Sequence, residues 1–211
     1  HLQHPRDRHH AHQRDAERGR HAGAGAGAAA HTPPATPVIP PGDDTGKAIS
    51  TVPDLCETLT DEQVAQLVLN PHKPQSYLAG SCSWSSDISI DVPDRLTMDL
   101  RVQVKLSPDA AEAAKTFGLS REMAARMSTS SYSEMVNWPP RPITGLGNEA
   151  YATDTGHRSI LGPSFTANVT FRLSNAIVEV EYGRDVAEDS RMRERAVQAA
   201  RWIGQAIAHG D

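Results

Sequence analysis

Cysteine is nearly absent from this sequence: two occur in 211 residues, Cys56 and Cys82. Basic excess is absent altogether. Lys and Arg number 21 against 26 Asp and Glu, a formal charge of −5, whereas a nucleic-acid-binding domain carries a strongly basic footprint. Nucleic acid is therefore not an expected partner. No run of about 18 apolar residues occurs, so no membrane span is expected in these residues; a tether upstream of them is left open. Large apolar side chains are also scarce. Hydrophobic residues make up 38 %, against roughly 45–50 % in ordinary globular domains, and the shortfall lies mostly at one end.

That end divides the chain. Residues 1–31 hold seven of the ten histidines and almost no large apolar side chain. Such a segment buries too little to offset the entropy of ordering it, so a disordered tail is expected. Its histidines lack a repeated ligand spacing, so no metal site is expected there. Residues 32–51 are rich in Pro, Thr and Ala, the composition of a semi-rigid extended linker. The folded domain is expected over 52–211.

Within it, "LTDEQVAQLVLNP" reads as a helix. Thr60 can cap its start with Gln63 in the reciprocal capping-box position, and Pro71 ends it. "YLAGSCSWSS" reads as a strand of small residues. In "RLTMDLRVQVKL", Leu96, Met98, Leu100, Val102, Val104 and Leu106 alternate with polar residues, a period of two with one buried and one wet face. "SPDAAEAAKTFG" predicts a helix capped by Ser107 and ending near Gly118, and "SREMAARMS" a second short one capped by Ser120. "VNWPPRPITGLG", with three prolines, predicts a loop. Strands follow in "NEAYATDT", "SFTANVTFRL" and "AIVEVEYG", the last two joined by a turn at Ser174-Asn175, where Asn tolerates positive φ. A final helix from about Ser190 to Ala208 would bury Met192, Ala196, Ala199, Ile203 and Ile207. The order is α-β-β-α-(α)-β-β-β-α. It predicts an α+β fold: a single antiparallel sheet of four to five strands with helices on one face.

Cys82 admits several roles. "YLAGSCSW" approaches the box before a lipid-anchored cysteine, but Ser81 is one residue too many and the preceding "NPHKPQS" is polar. A catalytic thiol needs a base, and no local nucleophile signature surrounds it. A bridge to Cys56 and two buried free thiols both fit an even count, and spacing alone leaves them open.

Other motifs have plain structural explanations. "GLGNEA", Gly145–Ala150, has the spacing of a dinucleotide fingerprint, but a Pro-rich loop precedes it and a β-like segment follows, so a tight turn is expected and no cofactor. The acidic sets Asp91/Asp94 and Asp185/Glu188/Asp189 flank a proline turn and a helix start. "NVT" at 168–170 reads as strand chemistry. The loop Trp138, Pro139, Pro140 and Arg141 is the candidate surface for a partner or ligand. Trp84 is expected in the core beside Cys82.

In order, "DLCETLTDEQVAQLV", "CSW", "LTMDLRVQV", "PITGLGNEAY" and a Ser-Asn turn resemble the actinobacterial family known as domain of unknown function 3558. The resemblance spans about residues 52–208. It implies a secreted or lipoprotein-like domain of the cell envelope with no established role, and it implies that Cys56 and Cys82 form a disulfide. Asn148 stands where the family often has Asp, and no lipid-anchor cysteine is present.

The expected function is thus a non-catalytic extracytoplasmic domain that binds a protein partner, a cell-wall component or a small ligand. Two alternatives stand beside it. One is a secreted hydrolase using His157 with Asp154; it requires His157 to meet a nucleophile in a pocket. The other is a sensor-like ligand-binding domain.

Overall fold

The computed structural model describes residues 48–86, 98–129, 134–160, 162–184 and 190–209. The expected tail, most of the expected linker, and the acids at 91, 94, 185, 188 and 189 lie outside these residues.

The fold is α+β around a single antiparallel sheet. A 3-10 turn, Leu55–Glu57, precedes helix α1 (Asp61–Leu67) and strands β1 (Ser81–Ser85) and β2 (Met98–Leu106). Helix α2 (Ala110–Met127) follows. Strands β3 (Met135–Asn137), β4 (Arg141–Pro142), β5 (Glu149–Ser159), β6 (Gly162–Leu173) and β7 (Ala176–Arg184) then precede helix α3 (Ser190–His209). The sheet runs β1-β2-β7-β6-β5-β3, with β4 also paired to β5. It has seven strands rather than the four or five expected. The two extra ones come from the proline-rich segment. Proline lacks an N–H, yet on an edge strand it still offers its carbonyl. Pro142 lies opposite Tyr151, and Pro139 and Pro140 split the edge into two short pieces.

Helices cover both faces, not one. On β7, Val178, Val180 and Tyr182 point into the larger core with Met192, Ala196, Ala199, Ile203 and Ile207 of α3 and Val64 and Leu67 of α1. Ile177 points the other way, as alternation along a strand requires. There it meets Ala113 and Phe117 of α2 and Tyr151 of β5. Phe117 and Tyr151 pack edge to face with ring centroids 5.2 Å apart. The α3 stripe is the one its periodicity predicts, extended by Ala200 and Gly204.

Local signals decide the ends of α1. Thr60 Oγ1 accepts from the Gln63 N–H and the Gln63 side chain accepts from the Thr60 N–H, closing the capping box. The helix stops at Leu67, earlier than Pro71 requires, because Val68 is already extended and fully buried.

The two helices expected between β2 and β3 are one. Its N-cap is Asp109, whose side chain accepts from the Glu112 N–H, not Ser107. The helix runs through Gly118 and Ser120 because Ala113, Phe117 and the partly buried Ala124 all rest on the same sheet face. A Cβ at Gly118 would meet nothing within 4 Å. Gly118→Ala is therefore expected to stabilise the domain by about 0.5–1 kcal/mol, the helix-interior cost of glycine, read as a higher urea midpoint with unchanged slope.

The β6–β7 turn differs in one detail. Positive φ falls on Ser174 (50°), not Asn175. Asn175 instead uses its buried side chain as a clamp. Its Oδ1 accepts from the Ile49 N–H at 2.7 Å, and its Nδ2 donates to the carbonyls of Ile49 (3.1 Å) and Ser107 (2.9 Å).

Candidate functional site

Cys56 and Cys82 are joined in a disulfide with Cα atoms 5.2 Å apart, and the described cysteines include no free thiol. This removes the thiol-nucleophile and lipid-anchor roles for Cys82. Trp84, two residues on and on the same face, is buried in the core.

The Trp138–Arg141 segment is an edge clasp. The Trp138 N–H donates to the Asp154 carbonyl, and its half-buried ring packs edge to face on Phe165 at 5.7 Å. The ring fills the space over Gly156, where a Cβ would lie 3.0 Å from it. Arg141 turns inward to Asp154 at 2.7 Å. Pro139 is exposed and Pro140 half-buried. Trp138 and Arg141 are thus engaged with the sheet.

Asp154 and His157 do not meet. The strand continues past Thr155, where the expected strand ends, to Ser159 with unbroken register, so residues three apart point to opposite faces. Asp154 has a fully buried side chain. Its Oδ2 accepts from Arg141 Nη2 and, at 2.6 Å, from Arg193 Nε, while the Arg193 guanidinium sits 5.2 Å over the Phe165 ring. His157, on the other face, is partly exposed and 4.0 Å from the exposed Glu134 carboxylate. The hydrolase pair is therefore not assembled. Alternation along a strand over 149–159 is the signal that would have shown this from sequence. Arg193→Met, which removes a charge-assisted bond to a buried carboxylate, is expected to cost about 2 kcal/mol, measured by urea denaturation.

The "GLGNEA" box is a knot between β5 and the β6–β7 turn. Gly147 has φ 62°, and a Cβ there would lie 2.3 Å from the Arg172 carbonyl oxygen. The Asn148 N–H donates to that oxygen at 2.8 Å, and Asn148 Oδ1 accepts from the Ser174 N–H at 2.8 Å. Glu149 pairs with the buried Arg172 at 3.0 Å. The glycines serve close backbone approach, and the segment continues into a strand rather than a helix, so it lacks the phosphate cradle of a dinucleotide site.

A concave site exists elsewhere. Helix α2 covers only part of its face of the sheet, and beside it lie two adjoining clefts of about 350 and 370 Å³. Both are lined by Tyr77, Ser83, Arg101 and Glu181; Ser85, Asp99, Thr166 and Gly183 extend one, and Leu78, Ser81 and Gln103 the other. Register builds the floor: Arg101 lies opposite Ser83 on β1 and Glu181 on β7. Arg101 and Glu181 form an exposed ion pair at 3.2 Å. Gly183, with no side chain, leaves the floor open above Thr166.

The wall is the segment before β1. Gln75 and Ser83 exchange backbone hydrogen bonds at 3.0 and 2.9 Å, and Pro71 bridges Ser86. Ser81 Oγ donates to the Leu78 carbonyl at 2.8 Å. Gly80 (φ 71°) brings this loop onto β2, where a Cβ would lie 2.7 Å from the Val104 carbonyl oxygen. On this wall Tyr77 stands 74 % exposed, its hydroxyl donating to Gln75 Oε1. The sequence places Tyr77 and Leu78 in the strand of small residues and Arg101 and Gln103 on the wet face of β2; the strand instead begins at Ser81, and Tyr77 and Leu78 stand in the loop before it.

No group of three or more His, Cys, Asp and Glu side chains among the described residues is arranged to hold a metal ion, and no described helix is long and apolar enough to cross a membrane. No family model matches the chain, and no curated protein matches it. Among solved structures it is similar to the crystal structure of LpqN, involved in cell envelope biogenesis of Mycobacterium tuberculosis, with 13 % identity, a TM-score of 0.34, and coverage of 59 % of this chain and 68 % of that one.

Proposed function

We propose that this chain is a non-catalytic extracytoplasmic domain of the cell envelope, a member of the family with domain of unknown function 3558, that binds a ligand or partner in the Tyr77 cleft. The observation that carries this reading is the cleft. It is a concavity of ligand size, with a braced wall, an exposed aromatic ring and a floor assembled from β1, β2, β7 and β6. The Cys56–Cys82 bridge supports the compartment, since structural disulfides persist in oxidising surroundings. The shared order of short motifs supports the family. Against catalysis stand three facts: Asp154 is consumed by two arginines, His157 faces away from it, and both cysteines are bridged.

The test is a titration of 15N-labelled protein with protein, polysaccharide and small-molecule fractions of a bacterial cell envelope. Saturable shifts at the amides of Ser83, Arg101 and Glu181 are expected from one of them. Shifts confined to Trp138–Arg141, or no shifts with any fraction, would overturn the assignment of the cleft.

A further inference from the structure

We infer that the Tyr77 cleft takes a neutral saccharide; this rests on the cleft being the binding site, as proposed above. The argument runs from what the cleft offers and what it withholds. It offers an exposed aromatic face, Tyr77, held in place by Gln75. Beside it lie the hydroxyl of Ser85, the hydroxyl of Ser83, which donates to the Gln75 carbonyl at 3.3 Å and still has lone pairs to accept with, the paired Arg101 and Glu181, and the carboxylate of Asp99. Donors and acceptors thus stand together within one small concavity. A ligand satisfying them must carry many hydroxyls, each able to donate and accept. It must also present a C–H surface to the ring. A pyranose does both.

What is withheld excludes the alternatives. A wholly apolar ligand would need a mostly apolar lining; apolar surface is gathered at Tyr77 and Leu78 on one side, while the floor under Ser85, Asp99 and Thr166 is polar, so the ligand must present both kinds of surface. An anion would need spare positive charge. Arg101, the cation among the described lining residues, is already paired with Glu181, and Asp99 adds a second carboxylate. An extended peptide adding to the sheet would need the free backbone edge of β1. That edge is taken by Gln75 and Pro71, which bridge Ser83 and Ser86. The ion pair itself suits a sugar, because its two planar groups can bridge neighbouring hydroxyls without a change of net charge.

The experiment is a calorimetric and 15N-NMR titration with three neutral trisaccharides: β-1,4-linked N-acetylglucosamine, α-1,4-linked glucose and α-linked mannose. Inorganic phosphate serves as the anionic comparator. Saturable binding of at least one trisaccharide is expected, with shifts at Ser83, Arg101, Thr166 and Gly183. Tyr77→Ala should weaken it about tenfold or more, and Tyr77→Phe, which keeps the ring, should retain most of it. Gly183→Val places a strand-compatible side chain over the floor and should also weaken it, while Tyr77→Ala leaves the thermal midpoint unchanged because the residue is exposed. Absence of binding by all three sugars, binding that survives Tyr77→Ala, or phosphate occupying the cleft instead would overturn the inference. If the sugars fail while an envelope protein fraction still shifts the cleft amides, only the ligand class is wrong. If nothing shifts them, the binding site is wrong as well.

Discussion

Replacing both cysteines by alanine is expected to lower the stability of the domain by about 3.5 kcal/mol. The bridge closes a loop with a sequence separation of 26 residues. In the chain-entropy account a loop of that length removes about this much from the unfolded state's advantage. For a domain of this size each kcal/mol shifts the thermal midpoint by about 2–4 °C, so a fall of roughly 7–14 °C should appear in calorimetry. The loop contains α1 and the braced wall of the cleft, so loss should not be uniform. Hydrogen exchange at Gln75 and Ser83 should accelerate in the variant before exchange at Val102 or Val180, which lie in the middle of paired strands. A midpoint shift of only a few degrees would show that the bridge is an ornament on an already ordered wall. Mass spectrometry of unreduced protein should find no alkylatable thiol, and two after reduction.

Gly147→Ala is expected to cost on the order of 2–5 kcal/mol, although it adds a single methyl group. Two costs add. The backbone at Gly147 has φ 62°, where a side chain costs about 1–2 kcal/mol. The new Cβ would also sit 2.3 Å from the Arg172 carbonyl oxygen, a backbone atom that cannot swing away, and overpacking of this kind typically costs about 1–3 kcal/mol. Relief would require β5 to move off the β6–β7 turn, which breaks the Asn148 bonds to Arg172 and Ser174. Gly118→Ala is the internal control: the same substitution in an open helical position should have the opposite sign. Urea titrations of the two variants side by side decide the matter. Equal effects would mean that glycine content, not the knot, governs stability.

Much of this fold was legible in the sequence. The β2 alternation and the α3 stripe could be read because each side chain there faces one environment, core or water. The capping box of α1 could be read because all its groups lie within four residues. Failures came where a local signal met a distant surface. Gly118 and Ser120 read as a helix boundary, but the packing of Phe117 and Ala124 on the sheet outweighs a glycine penalty of about 1 kcal/mol. The prolines of 139–142 read as a loop because the edge position that tolerates them is a property of the sheet. Ile177 and Tyr151 are apolar residues in polar phase on their strands. They place a helix on the second face only once that phase is noticed. The cleft was invisible for a simpler reason. Ser83, Arg101 and Glu181 are separated by up to 98 positions, and only register makes them neighbours.

The Asn175 clamp has a mechanical consequence. Tension applied through the chain ahead of Ala48 arrives first at Ile49, whose N–H and carbonyl are both gripped by one side chain at the tip of the β6–β7 turn. Only when that grip fails does the load pass along to Cys56 and, across the covalent bridge, into β1 beneath Tyr77. The clamp is thus a fuse in series with the cleft: below its breaking force the pull stops at the β6–β7 turn, and above it the pull lands on β1, the strand against which the Tyr77 wall is braced.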